Sequence, residues 1–268
     1  MSLRAPEDTG DNTPIVNGHD ESIYSTCAAL ATSVNAFLET EAPTPMLKAV
    51  QEQTRIALGV IDEALDRYSL DEISLSYNGG KDCLVLLILL LCSLANHKKG
   101  ALPKALHTVY IVSKHPFAEV GAFVDESVST YKLDLVRYAM PMKEAFRKYL
   151  DEHKKIKAIL VGTRRTDPHG ENLTHFDPTD SGWPAFMRVH PVIDWHYAEI
   201  WAFIRHLEIP YCPLYDQGYT SLGGTTDTHP NPALKAEGKD EDKKSSHQTF
   251  KPAYELMEDN AERLGRDW

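Results

Sequence analysis

The stretch 73–92 constrains the fold of this chain more than any other part of it. A short apolar run, Ile73–Tyr77, leads into a polar turn with Gly79 and Gly80, and the turn continues into the apolar run Leu84–Cys92. This order predicts a buried strand, a glycine loop and a helix, whose free N–H groups and dipole favour an anion in the loop. The two glycines let the backbone approach a phosphate and can adopt positive φ.

Two charged residues of the same loop narrow the choice of ligand. Lys81 adds a cation that we expect to be mobile, whereas Asp82 would repel phosphates unless a divalent cation lay between them. The loop therefore predicts a site for a polyphosphate with magnesium. The spacings G-x-x-x-x-G-K-[ST] and G-x-G-x-x-G are absent from it, which argues against a P-loop and against a dinucleotide-binding fingerprint.

Apolar strand-like runs alternate with helical patterns from Ile73 to about Gly162. This alternation predicts an α/β protein with a Rossmann-like, mostly parallel sheet that is covered by helices on both faces. N-terminal helices at about Ser22–Thr40 and Met46–Tyr68 should pack on the sheet or its edge. Later in the chain, we expect Asp194 to cap a helix at Tyr197–Leu207, and a last helix at Pro252–Leu264 in a C-terminal helical and loop extension.

Composition limits the function classes. The net charge of −11 would repel nucleic acid, anionic lipid and ATP, so an anionic substrate needs a local positive cluster plus metal. The four cysteines form no CxxC pair, which predicts reduced thiols in a reducing compartment. The polar, acidic N-terminus has neither signal nor transit character, and Leu84–Cys92 is too short to cross a bilayer. We therefore expect a cytoplasmic protein.

A second polar loop follows the strand that ends near Gly162, and it contains Arg164 and Asp167. Loops at the carboxyl ends of parallel strands share one rim of the sheet, so this loop should lie near Asn78–Asp82. Asp82 and Asp167 could then hold a divalent ion together, and Arg164 could bind a phosphate through its forked guanidinium. The simpler alternative is a solvated loop.

Two further motifs are ambiguous from their residues alone. Trp183 stands in a loop flanked by Gly and Pro, where it could stack on a flat ring, although a lone Trp is more often part of a core or interface. Arg263 and Arg266, three residues apart near the C-terminus, would more simply complement the dipole of a helix end. The charged run Lys235–Lys244 predicts a solvated loop.

In combination, these motifs resemble one family over about residues 46–266. It is the eukaryotic FAD synthetase, or FMN adenylyltransferase, family of the ATP pyrophosphatase superfamily, in its fungal single-domain form. The segments that carry the resemblance are 76–83, Gly162–Gly170, Trp183-Pro184, Arg188–Trp201, Tyr219-Thr-Ser-Leu-Gly, Pro230-Asn-Pro and Glu262–Arg266. His169 stands at the fourth position of a Thr-Asp-Pro-x-Gly turn, where we do not expect the residue type to matter, and the family pattern says little about the segment 235–248.

The resemblance implies an adenine nucleotide alpha hydrolase-like fold and a reaction. The AMP moiety of Mg-ATP would be transferred to the phosphate of FMN, giving FAD and pyrophosphate, by in-line attack without a covalent enzyme intermediate. A disordered tail over 1–20 would precede a single catalytic domain over 21–266, with a nucleotide-binding core at 69–195 and a flavin-site subregion at 196–268. The partners would be these small molecules and client apo-flavoproteins, with no nucleic acid and no membrane.

The resemblance also implies roles for particular residues. The catalytic residues would be Asn78, Asp82, Asp167, Arg263 and Arg266, and the first three of these would bind Mg²⁺. ATP would be bound by Ser76, Tyr77, Gly79, Gly80, Lys81, Gly162 and Arg164. FMN would be bound by Asp167, Trp183, Arg263 and Arg266.

Three alternatives use a similar loop. A phosphoadenylyl-sulfate reductase needs a nucleophilic cysteine near its C-terminus, but the last cysteine here is Cys212. A tRNA-thiolating enzyme would want paired cysteines and a basic surface, and this chain has neither. A non-catalytic nucleotide- or flavin-binding protein is disfavoured only because Asp82 and Asp167 would have little purpose without a metal.

Overall fold

The computed structural model describes residues 22–97, 102, 104–236 and 249–267. The expected disordered tail at 1–20 lies outside these residues, as does most of the expected charged loop at 235–248. None of the helices within the described ranges is long and apolar enough to span a lipid bilayer.

The described chain forms six strands and six α-helices. The strands are β1 (Ile73–Ser76), β2 (Leu106–Ile111), β3 (Leu133–Tyr138), β4 (Ala158–Leu160), β5 (Phe176–Pro178) and β6 (Met187–Val189). The helices are α1 (Ile23–Glu39), α2 (Pro45–Arg67), α3 (Lys81–Asn96), α4 (Ala118–Tyr131), α5 (Met142–Glu152) and α6 (Tyr197–His206). Short 3₁₀ turns occupy Leu70–Glu72, Pro213–Gln217, Pro232–Leu234, Ala253–Glu255 and Asp259–Ala261.

The six strands form one sheet in the order β3-β2-β1-β4-β6-β5. All neighbours are parallel except the β5–β6 pair, so the prediction of a mostly parallel sheet is confirmed. Strands β1 to β3 extend the sheet in one direction, and β4 then pairs on the other side of β1. The strand order therefore reverses between β1 and β4, where the loops after both strands diverge and leave a crevice.

Helix α3 is the centre of the main hydrophobic core. Its residues from Leu84 to Leu94 are all buried, which explains why this helix is apolar on every side. One side of α3 faces the sheet, while α1 and α2 pack on it from outside and α2 also packs on α6. The prediction that the two N-terminal helices pack on the sheet or its edge is confirmed at the edge alone, where Cζ of Arg67 in α2 lies 4.0 Å from the ring centroid of Phe176 in the edge strand β5. Most contacts of α1 and α2 are with α3 and α6.

A smaller core lies on the opposite face of the sheet, under α5. Phe146 and Tyr149 of α5 pack there with Val109 of β2 and Ile159 of β4. Neighbouring residues of these strands, such as Tyr110 and Leu160, belong to the main core instead. This alternation is the two-residue period of a strand that is buried on both faces, and it confirms that helices cover both sides.

Two local predictions were wrong. Residues 252–264 form two 3₁₀ turns and further turns instead of a helix, since the side chains there make long-range contacts with the loops of the sheet. Asp194 does not cap α6. His196 is the N-cap residue, its backbone N–H donates to the Glu199 carboxylate, and Asp194 pairs with Arg165.

Candidate active site

The loop after β1 is shaped by its own residues. Gly79 has φ of +77°, and a Cβ there would lie 2.9 Å from Cγ2 of Val124 in α4. Asn78 Oδ1 accepts a hydrogen bond from the N–H of Gly80 at 2.9 Å, and Gly80 is the N-cap residue of α3. The Asn78 side chain thus stabilises the turn, and its predicted roles in metal binding and catalysis stay predictions.

Lys81 begins α3 inside a buried network of charges. Its backbone N–H donates to the hydroxyl oxygen of Tyr215 at 2.9 Å. Its Nζ lies 3.0 Å from Asp82 Oδ2 and also contacts Oε1 of Glu262. Since Lys81 is only 1% exposed, the expectation of a mobile cation was wrong. The lysine is held in one place by two carboxylates.

Arg164, from the loop after β4, lies behind these carboxylates. It is fully buried, with Nε 2.9 Å from Asp82 Oδ1 and Nη2 in contact with Oε2 of Glu262. Burial alone would raise the pKa of Asp82, but the charges of Arg164 and Lys81 outweigh this and leave that pKa below its usual value. Asp82 is therefore an ionised carboxylate between two cations.

Asp167 connects the loop after β4 to the C-terminal segment. Its Oδ2 accepts a hydrogen bond from the N–H of Arg164 at 2.8 Å. Its Oδ1 has longer contacts, 3.7 Å to Nη1 of Arg263 and 3.8 Å to Nη2 of Arg164. Arg266 lies nearby, where its guanidinium packs against Gly223 and its Nη2 is 3.2 Å from Oδ1 of Asp227.

These side chains surround a charged cavity of about 280 Å³ at the crevice between β1 and β4. The wall includes Asn78, Lys81, Asp82, Asp167, Arg263 and Arg266. Gly162 also lines it, and a Cβ there would lie 2.9 Å from the backbone N of Cys83, so the end of β4 can approach α3 closely only with glycine. Arg164 does not line this cavity, and its predicted contact with ATP stays a prediction.

An apolar cavity of about 430 Å³ adjoins the charged one. Met142, Phe146, Trp183 and Phe186 supply apolar wall, and Arg188 and His190 add polar groups. The two cavities share Met142 at the start of α5 and four wall residues at or just after the ends of β1 and β4, namely Ser76, Asn78, Val161 and Thr163. Trp183 is 38% exposed, which is unlike a core tryptophan.

Tyr77 is a predicted ATP-binding residue that also contributes to the wall of the apolar cavity. Its side chain, however, is fully buried, and its hydroxyl lies 2.8 Å from Oγ of Ser127 in α4. The tyrosine ring therefore supports the loop from the core, and the predicted contact with ATP is not tested by this geometry.

Sequence analysis missed several residues that the fold brings to this site. Glu262 contacts Lys81 and Arg164, and it opens the Glu-Arg-x-x-Arg motif, which could have drawn attention to it. Tyr215 binds the start of α3 from a loop with no distinctive pattern. Phe146 and Phe186 read as ordinary core residues, because nothing in their local sequence shows that they border a cavity.

A magnesium ion is compatible with part of the predicted ligand set. Within the described ranges, no group of three or more His, Cys, Asp or Glu side chains is arranged to hold a metal. Magnesium needs fewer protein ligands, because it commonly binds through one or two carboxylates together with waters and substrate phosphates. Asp167 fits this pattern, since its Oδ1 has only long contacts, whereas both oxygens of Asp82 already face cations.

The chain is similar to known proteins over most of its length. Residues 72–148 and 136–230 match the model of the phosphoadenosine phosphosulfate reductase domain. The chain is 42% identical to a probable FAD synthase of Schizosaccharomyces pombe, over 88% of this chain and 86% of that protein. It is 32% identical to flavin adenine dinucleotide synthase of Saccharomyces cerevisiae, over 87% of this chain and 94% of that protein.

A solved structure matches over most of the chain. The crystal structure of Candida glabrata FMN adenylyltransferase in complex with FAD and inorganic pyrophosphate has a TM-score of 0.85 and 30% identity, covering 92% of this chain and 98% of that one. The chain therefore belongs to the phosphoadenosine phosphosulfate reductase domain family and, within it, to the FAD synthases.

Proposed function

We propose that this protein is an FMN adenylyltransferase, which joins the AMP moiety of ATP to the phosphate of FMN and releases pyrophosphate. The observation that carries the proposal is the adjacency of a charged and an apolar cavity at the switch point of the sheet. A dinucleotide with a flat ring needs both kinds of surface. The similar Candida glabrata enzyme has also been crystallised with FMN and the ATP analogue AMPCPP.

The chemistry suits a site without a nucleophilic side chain. The FMN phosphate is largely ionised near neutral pH, so its oxygen can attack the α-phosphorus of ATP without a general base. The new O–P bond forms as the bond from the α-phosphorus to the bridging oxygen breaks, and pyrophosphate leaves with that electron pair. The principal barrier is repulsion between two anions, about 1 kcal/mol per pair of unit charges at 4 Å in water and about 4 at an effective dielectric constant of 20.

The charged cavity can lower this barrier by positioning the two substrates and by neutralising the charge of their phosphates. In our proposal, the N-terminus of α3 and Lys81 bind the pyrophosphate end of ATP. Arg263 and Arg266 bind the reacting phosphates, where charge develops in the transition state. Trp183 packs against the flavin ring at the mouth of the apolar cavity.

Magnesium is the remaining component of the proposed site. Asp167 would hold the ion directly, with Asp82 and Asn78 nearby and the substrate phosphates as further ligands. The ion would neutralise charge on the phosphates when bound. We also propose a cytoplasmic location, which the four free thiols support, and the delivery of FAD to client apo-flavoproteins.

A reductase that uses a nucleophilic cysteine is the main competing function. Cys27, Cys92 and Cys212 are buried, and burial raises the pKa of the Cys212 thiol to about 11. A nucleophilic cysteine needs a lowered pKa and access to substrate. Both features of Cys212 therefore disfavour the reductase reaction.

A product assay tests the proposal. Purified protein is incubated with Mg-ATP and, in separate reactions, FMN, riboflavin or sulfate, and products are separated by chromatography. We expect FAD and equimolar pyrophosphate with FMN alone. Pyrophosphate release with sulfate, or no FAD with FMN, would contradict the proposal.

A further inference from the structure

Glu262 is a buried carboxylate at the junction of three segments of the chain. It is only 3% exposed. One of its carboxylate oxygens contacts Nζ of Lys81, from the loop after β1, and the other contacts Nη2 of Arg164, from the loop after β4. Its own segment, 259–266, contains no α-helix. A single side chain therefore joins both loops of the switch point to the C-terminal segment.

The backbone of Glu262 is anchored as firmly as its side chain. Its carbonyl oxygen accepts hydrogen bonds from Oγ1 of Thr220 at 2.5 Å and from Nδ2 of Asn231 at 3.3 Å. Asn231 and Thr220 are themselves buried, and Nδ2 of Asn231 donates a hydrogen bond to Oγ1 of Thr220 at 2.8 Å. Because the segment contains only short turns, such as the hydrogen bond from the N–H of Glu262 to the carbonyl of Asp259, these long-range contacts help to fix the position of the next residue, Arg263.

Glu262 shares the cations that it contacts with other carboxylates, since Asp82 pairs with both and Asp259 Oδ1 lies 3.7 Å from Nη1 of Arg164. Lys81 and Arg164 are both buried, and a buried charge is expensive unless it is paired. Asp82 contacts both cations as well, but it is adjacent to Lys81 in the chain and so cannot link α3 to the C-terminal segment. Glu262 is the carboxylate that makes this link.

We infer that Glu262 is a positioning residue for the proposed adenylyl transfer. Its carboxylate holds Lys81 where the pyrophosphate end of ATP would bind, and its anchored backbone places Arg263 beside Asp167. This inference rests on the proposed function for its role in turnover, but its effect on pyrophosphate binding can be measured without FMN.

Two variants test the inference. Glu262→Gln keeps the shape but removes the charge, so the amide nitrogen must face one of the two cations. Glu262→Asp keeps the charge on a side chain one methylene shorter, which cannot reach both Lys81 and Arg164 from the same backbone. We expect kcat per folded molecule to fall about 100-fold in the first variant and about tenfold or more in the second, as misplaced catalytic groups do. The KM for ATP should also rise, because Lys81 is displaced from the pyrophosphate end of ATP, whereas the KM for FMN should change less than kcat.

The second readout is the rise in melting temperature on addition of inorganic pyrophosphate. We expect the wild-type protein to show this rise and both variants to lose most of it, because Lys81 no longer faces the ligand. If the wild type makes no FAD but the variants lose the pyrophosphate response, the proposed function and the role of Glu262 in turnover both fail, while its role in placing Lys81 for pyrophosphate stands. If FAD forms at wild-type rates in both variants, or pyrophosphate still stabilises them equally, the inference is overturned.

Glu199→Gln is the matched control. Glu199 is also a buried glutamate, but its carboxylate binds the backbone N–H of His196 at the start of α6 and does not contact Lys81 or Arg164. The Glu199→Gln substitution should lower the free energy of unfolding without changing kcat or the pyrophosphate response. A Glu262→Asp protein that does not fold would show that the carboxylate serves the fold instead, and this would also overturn the inference.

Discussion

The two adjoining cavities of this protein differ in the side chains that form their walls. The charged cavity contains groups that are already paired with each other, such as Lys81 with Asp82, and Arg266 with Asp227. The apolar cavity is lined by large side chains, of which Trp183 remains partly exposed. The first can bind a ligand by exchanging ion pairs, and the second by covering apolar surface that is now open to water.

This difference predicts which measurements should respond to substitution. In the charged cavity, the side chains contribute most where charge develops during the reaction, so changes there should lower kcat. In the apolar cavity, contacts with a ring are the same before and during the reaction, so changes there should raise a Michaelis constant.

Asp167→Ala should have the largest effect. The substitution removes the proposed magnesium ligand together with the carboxylate oxygen that lies 3.7 Å from Nη1 of Arg263. We expect kcat for FAD formation to fall by about 10²–10³-fold, while the far-ultraviolet circular dichroism spectrum stays unchanged. Asp134→Ala, on the exposed side of β3, is the control. Near-normal turnover in Asp167→Ala would mean that the charged cavity does not work through this carboxylate.

Arg263→Ala should have the next largest effect. We expect kcat/KM for FMN to fall about 100-fold, since a guanidinium would be lost from the reacting phosphates. The melting temperature should change little, because Arg263 is about a third exposed. Arg137→Ala, an exposed arginine paired with Asp125, serves as the control. If stability falls and FMN kinetics do not, Arg263 has a structural role alone.

Trp183→Ala tests the apolar cavity. Aromatic stacking on a flat base contributes about 1–3 kcal/mol, so we expect the KM for FMN to rise about 10- to 100-fold with kcat largely retained. The KM for ATP should stay within about threefold of wild type. Met257→Ala, the control, removes a more exposed apolar side chain from another part of the surface and should change neither constant. A fall in kcat alone would break the proposed division between the cavities.

The smallest effect concerns His190, a buried residue of the apolar cavity wall. Burial lowers its pKa below the usual value of 6.5 and outweighs the carbonyl of Thr174 and the carboxylate of Asp177, which act in the opposite direction. When the pH falls below the pKa that His190 has in the unfolded chain, the unfolded chain binds more protons than the folded one. The free energy of unfolding must then fall with decreasing pH, by at most about 1.4 kcal/mol per pH unit.

Denaturant unfolding at about pH 7 and about pH 5.5 measures this loss of stability. The wild-type protein should lose more free energy of unfolding between the two conditions than His190→Gln does. An equal loss in both proteins would assign the pH dependence to other groups.

The charged cavity was largely predictable from the sequence, but the apolar one was not. Asn78, Lys81 and Asp82 belong to one contiguous motif, and Asp167 and Arg263 belong to two others, so short-range patterns were enough to select them. Met142 and Phe146 of α5 carry no local signal, and Phe186 comes from a separate segment just before β6. Apolar residues that line a cavity look the same in sequence as apolar residues that fill a core.

The predicted C-terminal helix shows a second limit. Residues 252–264 have a composition that suits a helix, and local propensity was the only available guide. In the folded chain, Glu262 instead binds two buried cations and its carbonyl binds Thr220. Contacts of this kind outweigh differences in helix propensity, which are less than about 1 kcal/mol per residue for most residues.

The sequence by itself determined the order of strand, glycine loop and helix, the parallel sheet, and the family to which the chain belongs. These features depend on neighbouring residues, and so they are present in short stretches of the chain. Only the tertiary structure decided which charges meet. Lys81 and Glu262 stand 181 positions apart, and their contact exists because the sheet brings the loop after β1, the loop after β4 and the C-terminal segment to one crevice.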